Sequence, residues 1–374
     1  MKRILIFSLA YFPHVGGAEI AVKEITDRIP DIEFEMVTLR FSSAEPREEA
    51  IGNVRVHRIG SRASKLGKLL FQFRAATAGA RLHRQRRFDA AWAIMAHSAG
   101  VPASLFSSST GVPFLLTLQE GDPPARVERT MRPLWPWFSA AFRRAALVQA
   151  ISNYLAAWAT RMGYPGEVAV IPNGVDIRRF AGVQAAHEAG KTVLVSTSRL
   201  VKKNALDDII RALVHLPENV LLRLYGAGPE EAQLKRLADR LSVRDRVEFL
   251  GHIDHAHLPE ALAACDIFVR PSRSEGMGNS FIEAMAAGLP VVATQEGGIA
   301  DFLFDAKRNP DKETTGWAVD ADSPEQIASA VKEILSDPQK TQKVREQAFR
   351  LVQTRYDWDF IAKEMRGVFA KVAV

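Results

Sequence analysis

The chain has 374 residues, of which 47% are hydrophobic, with a formal net charge of +6 and one cysteine. That length exceeds what a single hydrophobic core usually supports and predicts two domains of roughly 170 to 190 residues. The lone Cys265 excludes an intramolecular disulfide and removes the usual cysteine-based zinc sites, while the positive charge suggests an anionic partner such as a phosphate ligand, nucleic acid or an anionic membrane.

The N-terminal apolar run at residues 4–7 has two interpretations. Lys2 and Arg3 before it are typical of a secretory signal peptide, whereas a first buried strand running into a glycine loop at Gly16-Gly17 explains the segment as well. Because Pro13-His-Val-Gly-Gly follows directly, we favour the strand. The two glycines let backbone N–H groups approach a phosphate at a helix start, although tight strand-to-helix turns also use glycine.

The first half of the chain alternates short apolar runs with helical patterns. Strands are predicted at residues 4–7, 34–39, 54–59, 90–95, 114–118, 147–151 and 168–171, and helices near residues 18–29, 65–86, 134–144 and 153–162. This βα alternation is typical of a mostly parallel sheet. No apolar run approaches the ~18 to 20 residues that a membrane-spanning helix needs.

Residues 61–88 are basic and contain no acidic residue. Their eight cations are interleaved with Leu66, Leu69 and Phe73, and they are Arg62, Lys65, Lys68, Arg74, Arg81, Arg84, Arg86 and Arg87. A second segment, residues 129–144, mixes tryptophan and phenylalanine with arginine, as membrane-interface segments do. The two segments predict a surface that faces a membrane or an acidic substrate. A solvated helix face with core aromatics is the alternative, and nothing resembles a nucleic-acid-binding module.

A turn signal at residues 172–176 and a polar stretch at residues 180–191 indicate a domain boundary. We predict an N-terminal domain over residues 1–176 and a C-terminal domain over residues 190–355. In the second domain, strands are predicted at residues 192–197, 220–224, 247–250, 267–269 and 291–293, with helices centred near residues 210, 237, 262, 284 and 331. Two further helical patterns follow at residues 341–355 and 358–372.

A basic cluster ends the first strand of the second domain. Arg199, Lys202 and Lys203 follow that strand, where a guanidinium and an ammonium can bind a diphosphate and offset charge that develops on a leaving group. A solvated basic turn is the alternative. Gly226 and Gly228 follow the next strand, where glycines again let backbone N–H groups approach a phosphate. The third glycine of a dinucleotide-binding fingerprint is missing, however.

Two carboxylates lie on the segment after the fourth strand of this domain. Glu275 is predicted in a strand-to-helix loop beside Gly276 and Gly278, and Glu283 in the first turn of the following helix. Ser280 and Glu283 have the spacing of a capping box. Loops of this kind bind ligands at the carboxyl ends of parallel strands. The alternative is that Glu283 only caps its helix and Glu275 is solvated.

Three other patterns resemble metal sites. Asp320-Ala-Asp322 and Asp357-Trp-Asp359 spell D-x-D but follow no suitable strand end, and the histidines at positions 252, 255 and 257 lie in a loop and early helix without a thiol nearby. We therefore expect no metal site and no cofactor.

These features together resemble the retaining glycosyltransferases of family 4. The resemblance covers essentially the whole chain and rests on Gly16-Gly17, Pro172-Asn-Gly-Val-Asp176, Ser198-Arg199-Leu, Phe249-Leu-Gly-His252 and the spacing of Glu275 and Glu283. It implies the GT-B fold, with two Rossmann-like domains whose parallel sheets face each other across a cleft. The first domain would bind the acceptor, the second the nucleotide sugar, and a C-terminal helix at residues 358–374 would cross back to the first.

The resemblance also assigns roles to individual residues. Arg199 and Lys203 would hold the diphosphate and Glu275 the hydroxyls of the donor sugar, without an enzyme nucleophile or a metal. The remaining donor contacts would come from Gly17, Gly226, Gly228, His252, Ile253, Gly278, Asn279, Ser280 and Glu283, with Glu283 on the ribose and His252 and Ile253 near the base.

Two positions depart from the family pattern. The family often has a lysine where this chain has Asn204, so either Lys202 or Lys203 would take its role. Many members also carry a histidine after the fifth strand of the first domain, where this chain has Gln119 and Glu120. On the acceptor side we therefore expect Gln119, Glu120 and His97, which follows the preceding strand.

The predicted function is transfer of a hexose, with retention, from a nucleoside-diphosphate sugar to a hydroxyl of a glycan or lipid-linked acceptor. The expected location is cytoplasmic, with peripheral binding to the inner face of an anionic membrane, in cell-envelope polysaccharide biosynthesis. One alternative is a sugar-nucleotide epimerase or hydrolase on the same scaffold, because fold does not determine function. Another is a non-catalytic module that binds an anionic surface.

Overall fold

The computed structural model describes residues 1–60, 64–186 and 188–373, and the chain divides into two compact units. Unit 1 comprises Met1–Asn173 and Trp358–Val374, and unit 2 comprises Gly174–Asp357. Within the described residues, no helix is long and apolar enough to cross a membrane.

Unit 1 contains a sheet that has eight strands in its described part. They are β1 (Lys2–Phe7), β2 (Ile32–Leu39), β3 (Glu48–Ile51), β4 (Val54–Ile59), β5 (Ala90–Ile94), β6 (Phe114–Leu118), β7 (Leu147–Ala150) and β8 (Ala169–Val170). The helices are α1 (Gly17–Asp27), α2 (Lys65–Gln85), α3 (Val101–Thr110), α4 (Pro124–Met131), α5 (Trp135–Arg144) and α6 (Asn153–Arg161).

The strand order in unit 1 is β3-β4-β2-β1-β5-β6-β7-β8. All neighbours are parallel except β3 and β4, which form an antiparallel pair that the sequence did not predict. β1 lies inside the sheet with a buried apolar run, which confirms the strand interpretation of residues 4–7. Because β2 and β5 flank β1 on opposite sides, the order of the strands reverses at β1. Open α/β sheets bind ligands at such a switch point.

Unit 2 contains a six-stranded sheet over its described residues, and its neighbouring strands are all parallel. Its strands are β9 (Thr192–Thr197), β10 (Val220–Tyr225), β11 (Val247–Gly251), β12 (Ile267–Arg270), β13 (Val291–Ala293) and β14 (Trp317–Ala318). The helices are α7 (Ile177–Phe180), α8 (Leu206–Ala212), α9 (Glu231–Arg240), α10 (Leu258–Ala263), α11 (Asn279–Ala286), α12 (Pro324–Ser336) and α13 (Pro338–Arg355). The order β11-β10-β9-β12-β13-β14 places the switch point between β9 and β12.

The last helix, α14 (Trp358–Val372), belongs to unit 1 and packs against α1 and the sheet. Its apolar stripe is buried in the core, and the Phe369 ring lies 5.0 Å from that of Trp92 and 5.7 Å from that of Phe34 between centroids. An ion pair between Arg28 and Asp359, 2.7 Å long, fixes the start of α14 to the end of α1.

Candidate active site

The switch point of unit 2 brings together the two loops that carry the predicted anion-binding and carboxylate residues. The loop after β9 carries Arg199 and Lys203, and the loop after β12 carries Glu275. Because β9 and β12 are parallel neighbours, both loops leave the same edge of the sheet. They also touch, since the backbone N–H of Arg273 donates to the carbonyl of Lys203 at 2.7 Å.

The Arg199 guanidinium is exposed and makes no hydrogen bond or ion pair with any other described residue. Its backbone carbonyl accepts a 2.7 Å hydrogen bond from the Asn204 side chain. Asn204, which stands where the family often has lysine, is buried, and its Oδ1 has no partner among the described residues. The asparagine therefore shapes the loop. The exposed cations on it are Arg199 and Lys202, and Lys203 is half-buried.

Arg273 joins the two loops through four acceptors. Its guanidinium donates to the carbonyl of Lys202 at 2.7 Å and forms ion pairs with Asp207 at 2.9 Å, Asp208 at 2.9 Å and Asp322 at 2.6 Å. Three carboxylates share one cation here. Burial, together with the nearby negative charge of Asp207, raises the pKa of Asp208 from 3.8 to about 6 despite the attraction of Arg273.

The raised pKa predicts that ionisation of Asp208 destabilises the fold. Because the folded-state pKa lies above the unfolded value, the stabilising contribution of protonated Asp208 is present below pH 4 and is lost as the pH rises through 6. We expect the free energy of unfolding of the wild type, relative to Asp208→Asn, to fall by about 2 to 3 kcal/mol between pH 4 and pH 7. Urea unfolding at several pH values measures this difference.

The control for this prediction is Asp239→Asn, which changes an exposed carboxylate of the same unit. Because exposed ion pairs contribute little, this replacement should change the free energy of unfolding by less than about 1 kcal/mol. The prediction would be wrong if the difference in the free energy of unfolding between the wild type and Asp208→Asn did not change with pH.

Glu275 is buried in an ion pair that the sequence did not predict. Arg270, at the end of β12, donates to Glu275 Oε2, and the N–H of Gly276 donates to Oε1 at 3.0 Å. Both partners of the pair are buried, with 6% and 8% of their surface exposed. The Arg270 guanidinium also stacks 4.4 Å from the centroid of the Phe281 ring and donates to the Ser280 hydroxyl. Arg270 thus fixes the orientation of two predicted site residues.

Helix α11 begins earlier than the sequence predicted. Gly278, with φ of 89°, is the N-cap residue, and Asn279 is the first helical residue. Ser280 therefore lies within the first turn, and its hydroxyl accepts from Arg270 instead of capping the helix. The predicted capping box between Ser280 and Glu283 is wrong because the left-handed glycine starts the helix and the arginine engages the serine.

Glu283 faces the loop that follows β11. Its Oε1 lies 3.2 Å from Nε2 of His255, whose Nδ1 lies 3.1 Å from the Arg179 guanidinium. On the same loop, His252 is exposed and Ile253 is half-buried. From the sequence, His252 and Ile253 were expected near the base, whereas His255 appeared only among the histidines that resemble metal ligands. Arg179 was not predicted, because only the folded chain places α7 beside this loop.

Gly226 and Gly228 allow two loops to pack backbone against backbone. A Cβ at Gly226 would lie 1.9 Å from the carbonyl oxygen of Ser198, and one at Gly228 would lie 2.3 Å from that of Leu200. The loop after β10 therefore supports the loop that carries Arg199, and close packing accounts for both glycines.

In unit 1, the predicted acceptor-side residues lie together at the ends of β5 and β6. Glu120, only 1% exposed, accepts from the N–H and from Nδ1 of His97, both at 3.3 Å, and from the N–H of Gln119 at 3.0 Å. Gln119 Oε1 is buried without a partner in the described part of the chain. His97 lies in a π-helical turn, Ala96–Gly100, after Met95, whose φ of 67° is unusual for a residue with a side chain.

Gly17 begins helix α1 after the loop that follows β1. The preceding N-cap residue is Gly16, whose N–H donates to Oε2 of the buried Glu19 at 2.8 Å. One helix N–H is thus already satisfied by a side chain of the same turn. Burial raises the pKa of the Glu19 carboxyl.

The patterns that resembled metal sites have other partners. Asp320 pairs with Arg308 at 2.8 Å and Asp322 with Arg273, while Asp359 pairs with Arg28. In the described part of the chain, no group of three or more His, Cys, Asp or Glu side chains is arranged to hold a metal ion.

Two family models match consecutive halves of the chain. The model described as Glycosyltransferase Family 4 matches residues 15–179, and the model described as Glycosyl transferases group 1 matches residues 179–351. A relative from Mycolicibacterium smegmatis, a GDP-mannose-dependent alpha-(1-6)-phosphatidylinositol monomannoside mannosyltransferase, is 33% identical over 215 residues, 52% of this chain and 54% of that protein. The lipopolysaccharide core biosynthesis glycosyltransferase LpsE of Rhizobium meliloti is 32% identical over 206 residues, 54% of this chain and 58% of that protein. The chain thus spans a little over half the length of these relatives.

Solved structures share the fold over the whole chain. Sucrose-phosphate synthase from Thermosynechococcus elongatus superposes with a TM-score of 0.85 at 20% identity, covering 100% of this chain and 99% of that one. HepE of Anabaena, solved in complex with UDP-glucose, superposes with a TM-score of 0.80 at 22% identity, covering 99% of this chain and 100% of that one.

Proposed function

Because the two family models together span residues 15–351, the chain belongs to glycosyltransferase family 4 with the GT-B fold, and from this premise we propose its reaction. The chain transfers a hexose from a nucleoside-diphosphate sugar to a hydroxyl of a glycan or lipid-linked acceptor. The anomeric configuration is retained and no metal takes part. The observation that carries the proposal is the exposed Arg199, which has no side-chain partner among the described residues. Its loop at the switch point of unit 2 contacts the loop that carries Glu275.

In this proposal, Arg199 and Lys203, with Lys202 nearby, bind the diphosphate. Their positive charge offsets the negative charge that develops on the leaving nucleoside diphosphate as the sugar–phosphate bond breaks. A preorganised cation at this place stabilises the transition state more than the ground state, which is the requirement for catalysis. The acceptor oxygen forms the new bond to the anomeric carbon, and its proton passes to the phosphate oxygen of the departing nucleoside diphosphate.

The two carboxylates bind hydroxyl groups instead of acting as acid or base. Glu275, fixed by Arg270, accepts hydrogen bonds from the donor sugar, and Glu283 accepts from the ribose. The backbone N–H groups from Gly278 to Ser280 lie at the N-terminus of α11. A helix N-terminus stabilises a bound anion. His252 and Ile253 border the base, and Gly226 and Gly228 support the Arg199 loop.

The donor we propose to test first is GDP-mannose. The mycobacterial relatives are named as GDP-mannose-dependent mannosyltransferases, and LpsE is named for lipopolysaccharide core biosynthesis. These names favour a role in cell-envelope glycan synthesis. UDP-glucose is the second candidate, because HepE was solved with it.

A thermal-shift panel of GDP-, UDP- and ADP-sugars tests the proposed donor class. A ligand that binds only the folded state stabilises it by about 2.7 kcal/mol at 100 times its Kd, which raises the melting temperature by several degrees. We expect one nucleotide series to raise it and the free base or free sugar to leave it unchanged. If every nucleotide sugar left the melting temperature unchanged at millimolar concentration, the proposal would be wrong.

On unit 1, His97, Gln119 and Glu120 form the proposed acceptor side. Gln119 and His97 each offer an unengaged polar atom, Oε1 and Nε2, at the carboxyl ends of adjacent strands, whereas Glu120 is engaged in holding His97. Such atoms are suited to hydrogen bonds with hydroxyl groups.

We propose that a second surface of unit 1 binds the inner face of an anionic membrane. Leu66, Leu69 and Phe73 are exposed along α2, and Phe73 contacts the exposed Trp137 of α5 with ring centroids 5.8 Å apart. Lys65, Lys68 and Arg74 are exposed on the same helix, while Arg62 lies outside the described residues. Exposed apolar side chains with cations on the same helix fit the boundary between lipid headgroups and acyl chains.

Vesicle sedimentation checks this surface. We expect binding to vesicles that contain phosphatidylglycerol and little binding to pure phosphatidylcholine. Lys65→Ala/Lys68→Ala should lose about 2 kcal/mol of binding free energy, roughly 30-fold in affinity, since each cation near the surface contributes about 1 kcal/mol. Lys332→Ala/Lys343→Ala removes the same charge from exposed positions on unit 2 and should bind as the wild type. Equal losses in both variants would rule out a localised surface.

A further inference from the structure

Glu283 is held by a side chain that has no assigned role in the proposed function. Its Oε1 is 3.2 Å from Nε2 of His255, and its Oε2 has no partner among the described residues. The Glu283 side chain is 12% exposed and that of His255 is 34% exposed. One carboxylate oxygen is therefore engaged and the other is available.

Arg179 determines which nitrogen of His255 carries the proton. One of its guanidinium nitrogens lies 3.1 Å from Nδ1 of His255, and the other donates to the His255 carbonyl at 2.9 Å. A guanidinium has only donors, so Nδ1 must be the acceptor. The single proton of the neutral ring is then on Nε2, which donates to Glu283 Oε1.

Arg179 is itself fixed by the short helix α7. Asp176 caps this helix by accepting from the N–H of Arg178 at 3.2 Å, and the buried Phe180 packs with its ring centroid 6.3 Å from that of His255. The neighbouring Arg178 side chain is 77% exposed, so adjacent arginines on one turn have different environments. Arg179 thus donates a hydrogen bond to His255, and His255 donates one to Glu283.

We propose that Arg179 and His255 are positioning residues that hold Glu283 for recognition of the ribose. This inference rests on the proposed function, in which Glu283 binds the ribose hydroxyls. His255 engages Oε1 and fixes the carboxylate plane, so that Oε2 accepts the hydrogen bond from the ribose. Without His255, the carboxylate rotates, and ordering it on binding costs free energy.

The same contact has an opposite interpretation. His255 could occupy the place of the ribose hydroxyl in the ligand-free chain and leave when the nucleotide binds. Removing a competitor would tighten nucleotide binding, whereas removing a positioning residue weakens it. The direction of the change therefore distinguishes the two.

Calorimetric titration with GDP, UDP and ADP, each compared with its 2′,3′-dideoxy analogue, measures ribose recognition. For the nucleotide that binds, the wild type should prefer the ribose form over the dideoxy analogue by roughly 10-fold or more. The analogue lacks the hydroxyls that donate hydrogen bonds to the charged Glu283 carboxylate. His255→Ala should weaken ribonucleotide binding several-fold, leave the dideoxy affinity unchanged and so reduce the preference. His255→Gln, whose amide N–H can still reach Glu283, should restore most of the preference for the ribonucleotide. Arg179→Ala should lower this preference as His255→Ala does.

Arg178→Ala and His257→Ala are the matched controls, since both side chains are exposed on the same segments. Both should bind as the wild type. Tighter binding by His255→Ala, or an unchanged preference in folded His255→Ala and Arg179→Ala, overturns the inference while the proposed function stands. If the wild type binds none of the three nucleotides, the proposed function fails and this inference fails with it. Melting temperatures verify folding, and Arg179→Ala provides the test if His255→Ala does not fold.

Discussion

Replacement of Arg199 by alanine is expected to lower kcat for sugar transfer by about 10²- to 10³-fold, with no change in melting temperature. The guanidinium is exposed and unpaired among the described residues, so its loss leaves no buried group without a partner. It also follows β9 at the switch point, where a bound diphosphate would need a cation. Steady-state kinetics with the donor identified by thermal shift measures the effect.

Two further variants make the Arg199 result specific. Arg199→Lys keeps the charge but not the planar pair of donors, so we expect an intermediate kcat. Arg236→Ala removes an exposed arginine from α9 and should leave kcat unchanged. A wild-type kcat in the Arg199→Ala variant would show that Arg199 does not stabilise the leaving group.

Replacement of Arg270 by methionine is expected to destabilise the chain by about 3 to 5 kcal/mol, because it leaves the Glu275 carboxylate buried without its cation. The pair is almost fully enclosed, and the guanidinium also holds Ser280 and stacks on Phe281. Urea unfolding of the wild type and the variant gives the difference in the free energy of unfolding.

A double-mutant cycle separates the charge effect from simple loss of packing. Arg270→Met/Glu275→Met replaces both charges with apolar side chains, and we expect it to recover much of the stability that Arg270→Met loses. The exposed pair Arg308–Asp320 is the surface control, where Arg308→Met should cost less than about 1 kcal/mol. An Arg270→Met cost as small as that of Arg308→Met would contradict the buried-charge interpretation.

The parallel framework was predictable because buried strands of α/β domains are short, continuous apolar runs. Residues 192–197 and 220–224 show such runs and form β9 and β10. β3 was missed since its Glu-Glu-Ala-Ile sequence has no apolar run and pairs with β4 at the edge of the sheet. Positions at strand ends could be predicted because a strand's carboxyl end is where its apolar run stops.

Contacts between loops distant in sequence were not predictable in the same way. Arg270 ends an apolar strand, five residues before Glu275, and a charged residue at a buried strand end was the one available signal. Nothing in the sequence places Arg179 beside His255, which lies 76 residues further on. The capping box failed because spacing alone does not reveal that Gly278 starts α11 and that Arg270 takes the serine hydroxyl.

The central claim is sugar transfer, and the most direct measurement follows the sugar itself. The purified chain is incubated with the sugar-labelled nucleotide that stabilises it most, with and without a bacterial lipid and glycan extract. Transfer predicts label in the extract, an equal amount of released nucleoside diphosphate, and an anomeric configuration in the product, observed by NMR, that matches the donor. An isomerised nucleotide sugar, or free sugar released equally without the extract, would contradict transfer and indicate an epimerase or a hydrolase instead.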